Sequence, residues 1–139
     1  MLIVAGFRDT REGRAAVDAA LAQAKAHGAT LEVVSVREAP SDSSGARTST
    51  ESDTTMQAAL DRLQQELAAA GVDARTEVLT SATEAGPALV RHLTEVGADM
   101  VVIGMPRRSR VGKLLMGSTA QSILLDAPCP VLAIKDGND

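Results

Sequence analysis

Residues 85–104, AGPALVRHLTEVGADMVVIG, contain one complete helix-to-strand unit and decide the fold class of this 139-residue chain. Ala85, Leu89 and Leu93 recur at helical spacing, and Gly97 is placed to end the helix. The aliphatic run ADMVVIG that follows is typical of a strand buried on both faces of a parallel sheet. The segment therefore predicts a helix that packs against a parallel sheet.

The same alternation of strand and helix extends over the whole chain. Further strands are predicted at MLIVAG (1–6), TLEVVSV (30–36), ARTEVLTS (74–81) and PVLAIK (130–135). Five strands alternating with helices predict an α/β fold, in which a three-layer, doubly wound and mostly parallel five-stranded sheet carries helices on both faces. We expect residues 1–139 to form a single domain, because the length suits one core.

Local patterns predict where the other helices begin. Asp9 with Glu12, and Thr54 with Gln57, have the spacing of capping boxes that open helices one and two, and a short fourth helix is predicted from Ser118. Helices one and two are predicted to end at Gly28 and Gly71.

Residues 40–55, PSDSSGARTSTESDTT, are polar, small and without apolar anchors, and predict a mobile loop. A lid, or a phosphorylation target whose added charge meets Arg37 or Arg47, stays open as an alternative.

Composition narrows the possible functions. A net charge of −4 and a single aromatic residue argue against binding to nucleic acids and anionic membranes. The sequence contains no apolar run long enough to span a bilayer and does not start like a signal peptide, so we expect a cytoplasmic protein. Cys129 is the one cysteine, which excludes an internal disulfide and is interpreted as a small buried apolar residue. His27 is interpreted as favouring a helix end, and neither it nor His92 has a partner in the sequence that would make it a catalytic base.

Ligands of doubly wound sheets bind beyond the carboxyl ends of the strands, which selects the loops GFRDT (6–10) and GMPRRSR (104–110). A Walker A loop is excluded at Lys113, because Arg107 and Leu114 stand where that motif needs glycine and a hydroxyl residue. An ordinary solvated turn remains one interpretation of the second loop.

The other interpretation is a phosphate cradle. Gly104 and Gly117 permit close backbone approach, Ser118 is placed to cap the following helix, and the cations between them attract phosphate.

Residues 101–135, VVIGMPRRSRVGKLLMGSTAQSILLDAPCPVLAIK, closely resemble the carboxyl third of universal stress proteins. In that family the nucleotide motif is G-x2-G-x9-G-[S/T], which here has Gly104 first, Arg107 at the middle glycine, and Gly117 with Ser118 last. The resemblance implies an adenine nucleotide alpha hydrolase-like fold and a regulatory domain of the stress response. It also implies ATP or another adenine nucleotide as cofactor, with or without Mg²⁺, and only slow ATP hydrolysis or autophosphorylation.

The nucleotide site implied by the resemblance lies in the loops after strands one and four. Two residues depart from the family pattern: Arg107 replaces a glycine, and Phe7 occupies the place of an acidic residue that contacts nucleotide, unless Asp9 takes over that role. The alternative hypothesis is a dimerisation or signalling module whose site is blocked by Phe7 and Arg107. A third hypothesis is an enzyme that acts on a phosphorylated metabolite, but the sequence identifies no nucleophile for it. No catalytic or metal-binding residue is predicted. The predicted nucleotide-binding residues are Ala5, Gly6, Phe7, Val36, Gly104, Met105, Arg107, Arg108, Gly117, Ser118 and Thr119.

The last strand is predicted to lie at a sheet edge, because a polar tail follows it. An aliphatic edge needs cover, and pairing with its copy about a two-fold axis would supply it. The resemblance to universal stress proteins implies the same arrangement, because many members of that family dimerise through this strand. We therefore expect a homodimer formed through Val131, Leu132, Ala133 and Ile134.

Overall fold

The computed structural model describes residues 1–38, 46–106 and 117–135, without the side chains of 46–53. The five strands form one parallel sheet in the order β3-β2-β1-β4-β5, which confirms the predicted fold class and makes the sheet parallel throughout. The elements are β1 (Leu2–Gly6), α1 (Arg11–His27), β2 (Thr30–Glu38), α2 (Ala46–Ala69), β3 (Ala74–Ser81), α3 (Ala85–Val96), β4 (Met100–Met105), α4 (Ser118–Asp126) and β5 (Val131–Lys135).

Helices cover both faces of the sheet, and the strand residues alternate between two cores. Ile3 and Ala5 of β1 pack with α1 and α2, whereas Val4 packs with α3 and α4. Leu60 of α2 and Leu93 of α3 are fully buried in their respective clusters. Because both faces of the central strands are buried, β1 and β4 have continuous apolar sequences rather than alternating ones.

The N-cap of helix α1 lies one residue later in the chain than predicted. The N-cap is Thr10, whose Oγ1 accepts a hydrogen bond from the N–H of Gly13 at 3.0 Å, so the capping box at Asp9 is wrong. Asp9 instead forms an ion pair with Arg14 at 2.9 Å. Gly28 ends the helix as predicted, in the left-handed conformation with φ 63° that glycine adopts without strain.

Helix α2 begins well before the capping box predicted at Thr54. Its first residue is Ala46, so 46–55, the second part of the predicted mobile loop, is helical. Serine and threonine cost a helix only a few tenths of a kcal/mol per residue, and adding residues to an existing helix is cheaper than starting one. Residues 40–45 of the predicted loop lie outside the described residues.

Strand β5 lies at one edge of the sheet and pairs only with β4 among the described strands, as predicted. Its side chains are half-buried or exposed rather than fully buried. None of the helices in the described ranges is both long and apolar enough to cross a membrane.

Candidate functional site

A cavity of about 340 Å³ opens at the carboxyl ends of β1, β2 and β4, where the first turns of α1, α3 and α4 converge. This is the position at which doubly wound sheets bind ligands, because the strand order reverses between β1 and β4. The described residues that line it are Gly6, Phe7, Arg8, Thr10, Glu12, Gly13, Val34, Val36, Met56, Ala85, Leu89, Ile103, Gly104, Pro106, Gly117, Ser118, Thr119 and Ala120.

Most of the residues predicted for the nucleotide site meet at this cavity. Ala5 and Met105 are buried and do not line it, and Arg107 and Arg108 lie outside the described residues. The sequence reasoning missed Arg8, Glu12 and the α3 side of the wall. In a parallel sheet of this kind, each helix that follows a strand begins near the carboxyl ends of the strands. The first turns of the predicted helices were therefore candidates for the cavity wall. The predicted residues that do line the cavity are Gly6, Phe7, Val36, Gly104, Gly117, Ser118 and Thr119.

Phe7 forms part of the cavity wall rather than filling the cavity. Its side chain is 3% exposed and packs in the α1–α2 core, while its carbonyl oxygen accepts a hydrogen bond from Ser35 Oγ at 2.8 Å. Its N–H donates to Val34 O at 2.8 Å, the last backbone hydrogen bond described between β1 and the chain of β2. The N–H and C=O of one strand residue point to the same side, and this side alternates from residue to residue. Those of Val36 therefore point to the same side as those of Val34, toward the space beyond the end of β1, where Val36 lines the cavity.

Gly104 is required by the packing of α1 as well as lining the cavity. A Cβ atom built at Gly104 would lie 2.1 Å from the carbonyl oxygen of Glu12, so the fold itself admits only glycine there. A Cβ atom at Gly117 would meet no atom of the described residues within 4 Å, so their packing does not require glycine there.

Gly117, and not Ser118, is the N-cap of α4. No side chain in the described part of the chain caps this end, and the residues of the first turn, Ser118, Thr119 and Ala120, line the cavity. The first turn of α3 also has no side-chain cap at its N-cap, Glu84. By contrast, Thr10 caps α1.

The described lining residues contain one cation, Arg8, and one anion, Glu12. Asp9, considered above as a substitute for the family carboxylate, does not line the cavity and is paired with Arg14. The rest of the wall is aliphatic or aromatic except for three hydroxyl side chains. Such a wall suits a ligand with an apolar or flat body and a small polar group.

A buried carboxylate that the sequence did not reveal holds α3 against β2. Glu32 is 2% exposed; its Oε1 lies 2.7 Å from Nε2 of His92, and its Oε2 accepts a hydrogen bond from Nε of Arg75 at 2.9 Å. His92 therefore has a carboxylate partner, contrary to the sequence analysis, 60 residues away along the chain. The pair lies near the start of β2, away from the cavity.

Cys129 is only partly buried, and it packs against the α3–α4 core. Burial, followed by the carboxylate of Asp99, raises the pKa of its thiol. A raised pKa leaves little thiolate at neutral pH, which fits a packing role and not a redox role.

In the described part of the chain, no three His, Cys, Asp or Glu side chains are grouped so that they could hold a metal ion.

The family model described as "Universal stress protein family" matches residues 1–135. The chain belongs to this family. A universal stress protein encoded in the QAH/OAS sulfhydrylase 3′ region of Thermus aquaticus is 30% identical over 137 residues, which covers 96% of this chain and 97% of that protein. A universal stress protein of Mycolicibacterium smegmatis is 45% identical over 65 residues, but the match spans only 47% of this chain and 42% of that protein.

Solved universal stress proteins have the same architecture. One from Archaeoglobus fulgidus is 26% identical with a TM-score of 0.79, covering 96% of this chain and 97% of the other. One from Burkholderia pseudomallei is 25% identical with a TM-score of 0.78, covering 96% and 94%. The adenine nucleotide alpha hydrolase-like fold implied by the sequence is thus confirmed.

Three more distant structural neighbours are complexes with nucleotides. A universal stress protein with cAMP is 23% identical (TM-score 0.72, covering 99% of this chain and 98% of the other). An Archaeoglobus fulgidus protein with dAMP is 22% identical (TM-score 0.68, covering 96% of each chain). An Arabidopsis thaliana protein with AMP is 14% identical (TM-score 0.75, covering 100% and 94%).

Proposed function

We propose that the cavity binds an adenine nucleotide and that the protein is a ligand-responsive regulator rather than an efficient enzyme. The observation that carries this proposal is the convergence of Gly6, Val36 and Gly117 with Ser118 on one cavity at the β1–β4 switch point. Universal stress proteins of the same fold are complexed with cAMP, dAMP and AMP, which supports an adenine nucleotide as the ligand.

The base is proposed to lie against the apolar wall beside Val36. A backbone N–H and C=O offer one donor and one acceptor, which match the acceptor N1 and the donor N6 of adenine. Phe7, Leu89 and Ile103 supply apolar surface for the ring. In this arrangement Phe7 contributes packing in place of the polar contact that the family acid provides.

The phosphate group is proposed to lie at the first turn of α4. No described side chain caps its N–H groups, and the positive end of the helix dipole favours an anion. The open space around Gly117 permits close approach of phosphate oxygens to the backbone. Mg²⁺ is proposed to enter only together with the phosphates of ATP.

Titration calorimetry with ATP, ADP, AMP and cAMP, each with and without Mg²⁺, tests this proposal. Binding is expected to stabilise the fold as well: at a ligand concentration one hundred times Kd, the free energy of unfolding rises by about 2.7 kcal/mol. For a chain of this size, that corresponds to a rise in Tm of roughly 5–10 °C. Absence of both heat and thermal shift at millimolar nucleotide would refute the proposal.

A second candidate function is a dimerisation module without nucleotide. The observation that favours it is Phe7, because a buried aromatic side chain stands where the family has an acidic residue that contacts nucleotide. Phe7→Asp separates the two functions. If the variant folds and binds ATP while the wild-type protein does not, the module lost nucleotide binding through Phe7; if the wild-type protein binds, the first function stands.

A further inference from the structure

Arg8 lines the cavity, and α1 fixes the position of its backbone. The carbonyl oxygen of Arg8 accepts a hydrogen bond from the N–H of Thr10 at 2.8 Å. The first turn of α1 lies directly on this peptide, since a Cβ atom at Gly13 would come 1.9 Å from the Arg8 carbonyl oxygen. Only glycine permits that contact, so the point at which the Arg8 side chain leaves the backbone is rigid.

Among the described residues, no carboxylate binds the guanidinium of Arg8. Within the described residues, its side chain makes no hydrogen bond and no ion pair. The adjacent carboxylate of Asp9 binds Arg14 instead, with distances of 2.9 Å to Nη2 and 3.1 Å to Nε. Arg75 likewise has a carboxylate partner, Glu32. The charge of Arg8 is therefore available to a ligand.

Arg8 supplies positive charge to the described part of the cavity wall. Among the described lining residues Arg8 is the one positive charge, and it faces a wall that also holds the carboxylate of Glu12. Without Arg8, the described lining residues would carry a net negative charge and would repel a phosphate group. A guanidinium stays charged at all accessible pH values, and its planar fork binds two phosphate oxygens at once.

We propose that Arg8 binds the anionic group of the cavity's ligand and makes the site select phosphorylated ligands over their uncharged parents. This inference rests on the proposed function and deepens it, because it assigns the charge discrimination of the site to a residue outside the glycine motif. Arg8 binds the phosphate from the β1 side of the cavity, opposite the first turn of α4. Affinity then rises with the charge of the ligand, from adenosine to AMP to ATP.

Titration calorimetry at fixed ionic strength with adenosine, AMP, ATP and inorganic pyrophosphate tests this role. Arg8→Gln should weaken AMP binding about tenfold and ATP binding by at least as much, because an interaction with a charged group is lost. Adenosine binding should change less than about twofold. Arg8→Lys should restore part of the loss for the anions. Arg62→Gln, which removes an exposed charge from α2 outside the cavity, is the matched control and should leave all four affinities unchanged.

The four ligands distinguish failure of this inference from failure of the proposed function. If the wild-type protein binds AMP and Arg8→Gln binds it equally well, Arg8 has no such role and the proposed function stands. If the wild-type protein binds pyrophosphate in an Arg8-dependent manner but binds no nucleotide, the role of Arg8 stands and the nucleotide proposal fails. If none of the anions binds, both are overturned.

Discussion

The backbone of Glu12 in α1 occupies the space that a side chain at Gly104 in β4 would need. A Cβ atom at Gly104 would lie 2.1 Å from the carbonyl oxygen of Glu12 and 2.5 Å from its carbonyl carbon. No rotamer change relieves such a contact, because the opposing atoms belong to the backbone. The first glycine of the family motif thus brings α1 onto the end of β4, and this contact shapes the cavity from within.

Gly104→Ala is expected to destabilise the protein by about 2–3 kcal/mol, because α1 must move away from β4 to admit the methyl group. Urea denaturation measures the change as a lower midpoint with an unchanged m-value. A variant as stable as the wild-type protein would show that α1 is not held at this distance.

Gly117→Ala makes the same change as Gly104→Ala at the last glycine of the motif. We expect it to weaken nucleotide binding and to leave stability nearly unchanged. The φ of −66° and ψ of 156° at Gly117 are accessible to alanine, and the added Cβ meets no described atom within 4 Å. The free energy of unfolding should change by less than about 1 kcal/mol, the scale of an N-cap substitution. If phosphate oxygens approach this backbone as proposed, the Kd for AMP should rise about tenfold in calorimetry. An unchanged Kd would move the phosphate away from α4.

The alternation of strands and helices was predictable because it follows from burial, which the sequence records directly. The runs MLIVAG and ADMVVIG are apolar on both faces, and both became central strands of the sheet. The ends of α1 and α3 were predictable for a local reason as well: Gly28 and Gly97 adopt the left-handed conformation with φ 63° and 67°. Each of these features depends on a few neighbouring residues.

Features that depend on contacts between distant residues were not predictable. The sequence places Gly104 beside cations, and only the packing of α1 shows that the glycine faces the Glu12 backbone. The partner of His92 lies 60 residues away, in a strand where Glu32 interrupts an apolar pattern. The N-cap of α1 could not be predicted either, because Asp9 and Thr10 are adjacent and both residue types are good N-caps. In the structure only Thr10 caps the helix.

Glu32 should be the most sensitive charged residue of the fold. Glu32→Ala removes a carboxylate that binds both His92 and Arg75 and leaves a void between α3 and β2, so we expect a loss of about 3 kcal/mol in the free energy of unfolding. Arg75→Ala is the control: its side chain is 55% exposed and the His92 contact survives, so the loss should be about 1 kcal/mol. Denaturant unfolding of the two variants measures the difference, and equal losses would contradict a central role for the carboxylate.

Cys129 should react slowly with thiol reagents in the folded protein. Burial and the Asp99 carboxylate raise the pKa of its thiol, and a higher pKa means a smaller reactive thiolate fraction at any given pH. The pH profile of alkylation should therefore lie at higher pH than in the urea-unfolded chain. Asp99→Asn keeps an acceptor oxygen for the N–H of Leu2, now bonded at 2.7 Å, and removes the charge. It should shift the profile back toward lower pH; an unshifted profile would exclude an electrostatic effect of Asp99.

The edge strand β5 is proposed to form a homodimer by antiparallel pairing of Val131, Leu132, Ala133 and Ile134 with their copies. Val101 donates to the carbonyl oxygen of Pro130 at 3.0 Å, and the register pairs Val102 with Leu132. In a parallel ladder these contacts direct the N–H of Leu132 toward β4 and that of Ala133 outward.

Ala133→Pro consequently removes a donor that no described strand uses and that a second copy would need. Leu132→Pro instead breaks the pairing of β5 with β4 within one chain. We expect sedimentation equilibrium at micromolar concentration to give the mass of two chains for the wild-type protein and of one folded chain for Ala133→Pro. Leu132→Pro should give unfolded or insoluble protein, which separates loss of folding from loss of pairing. A wild-type protein with the mass of one chain would refute the dimer, and a dimeric Ala133→Pro would place the interface elsewhere.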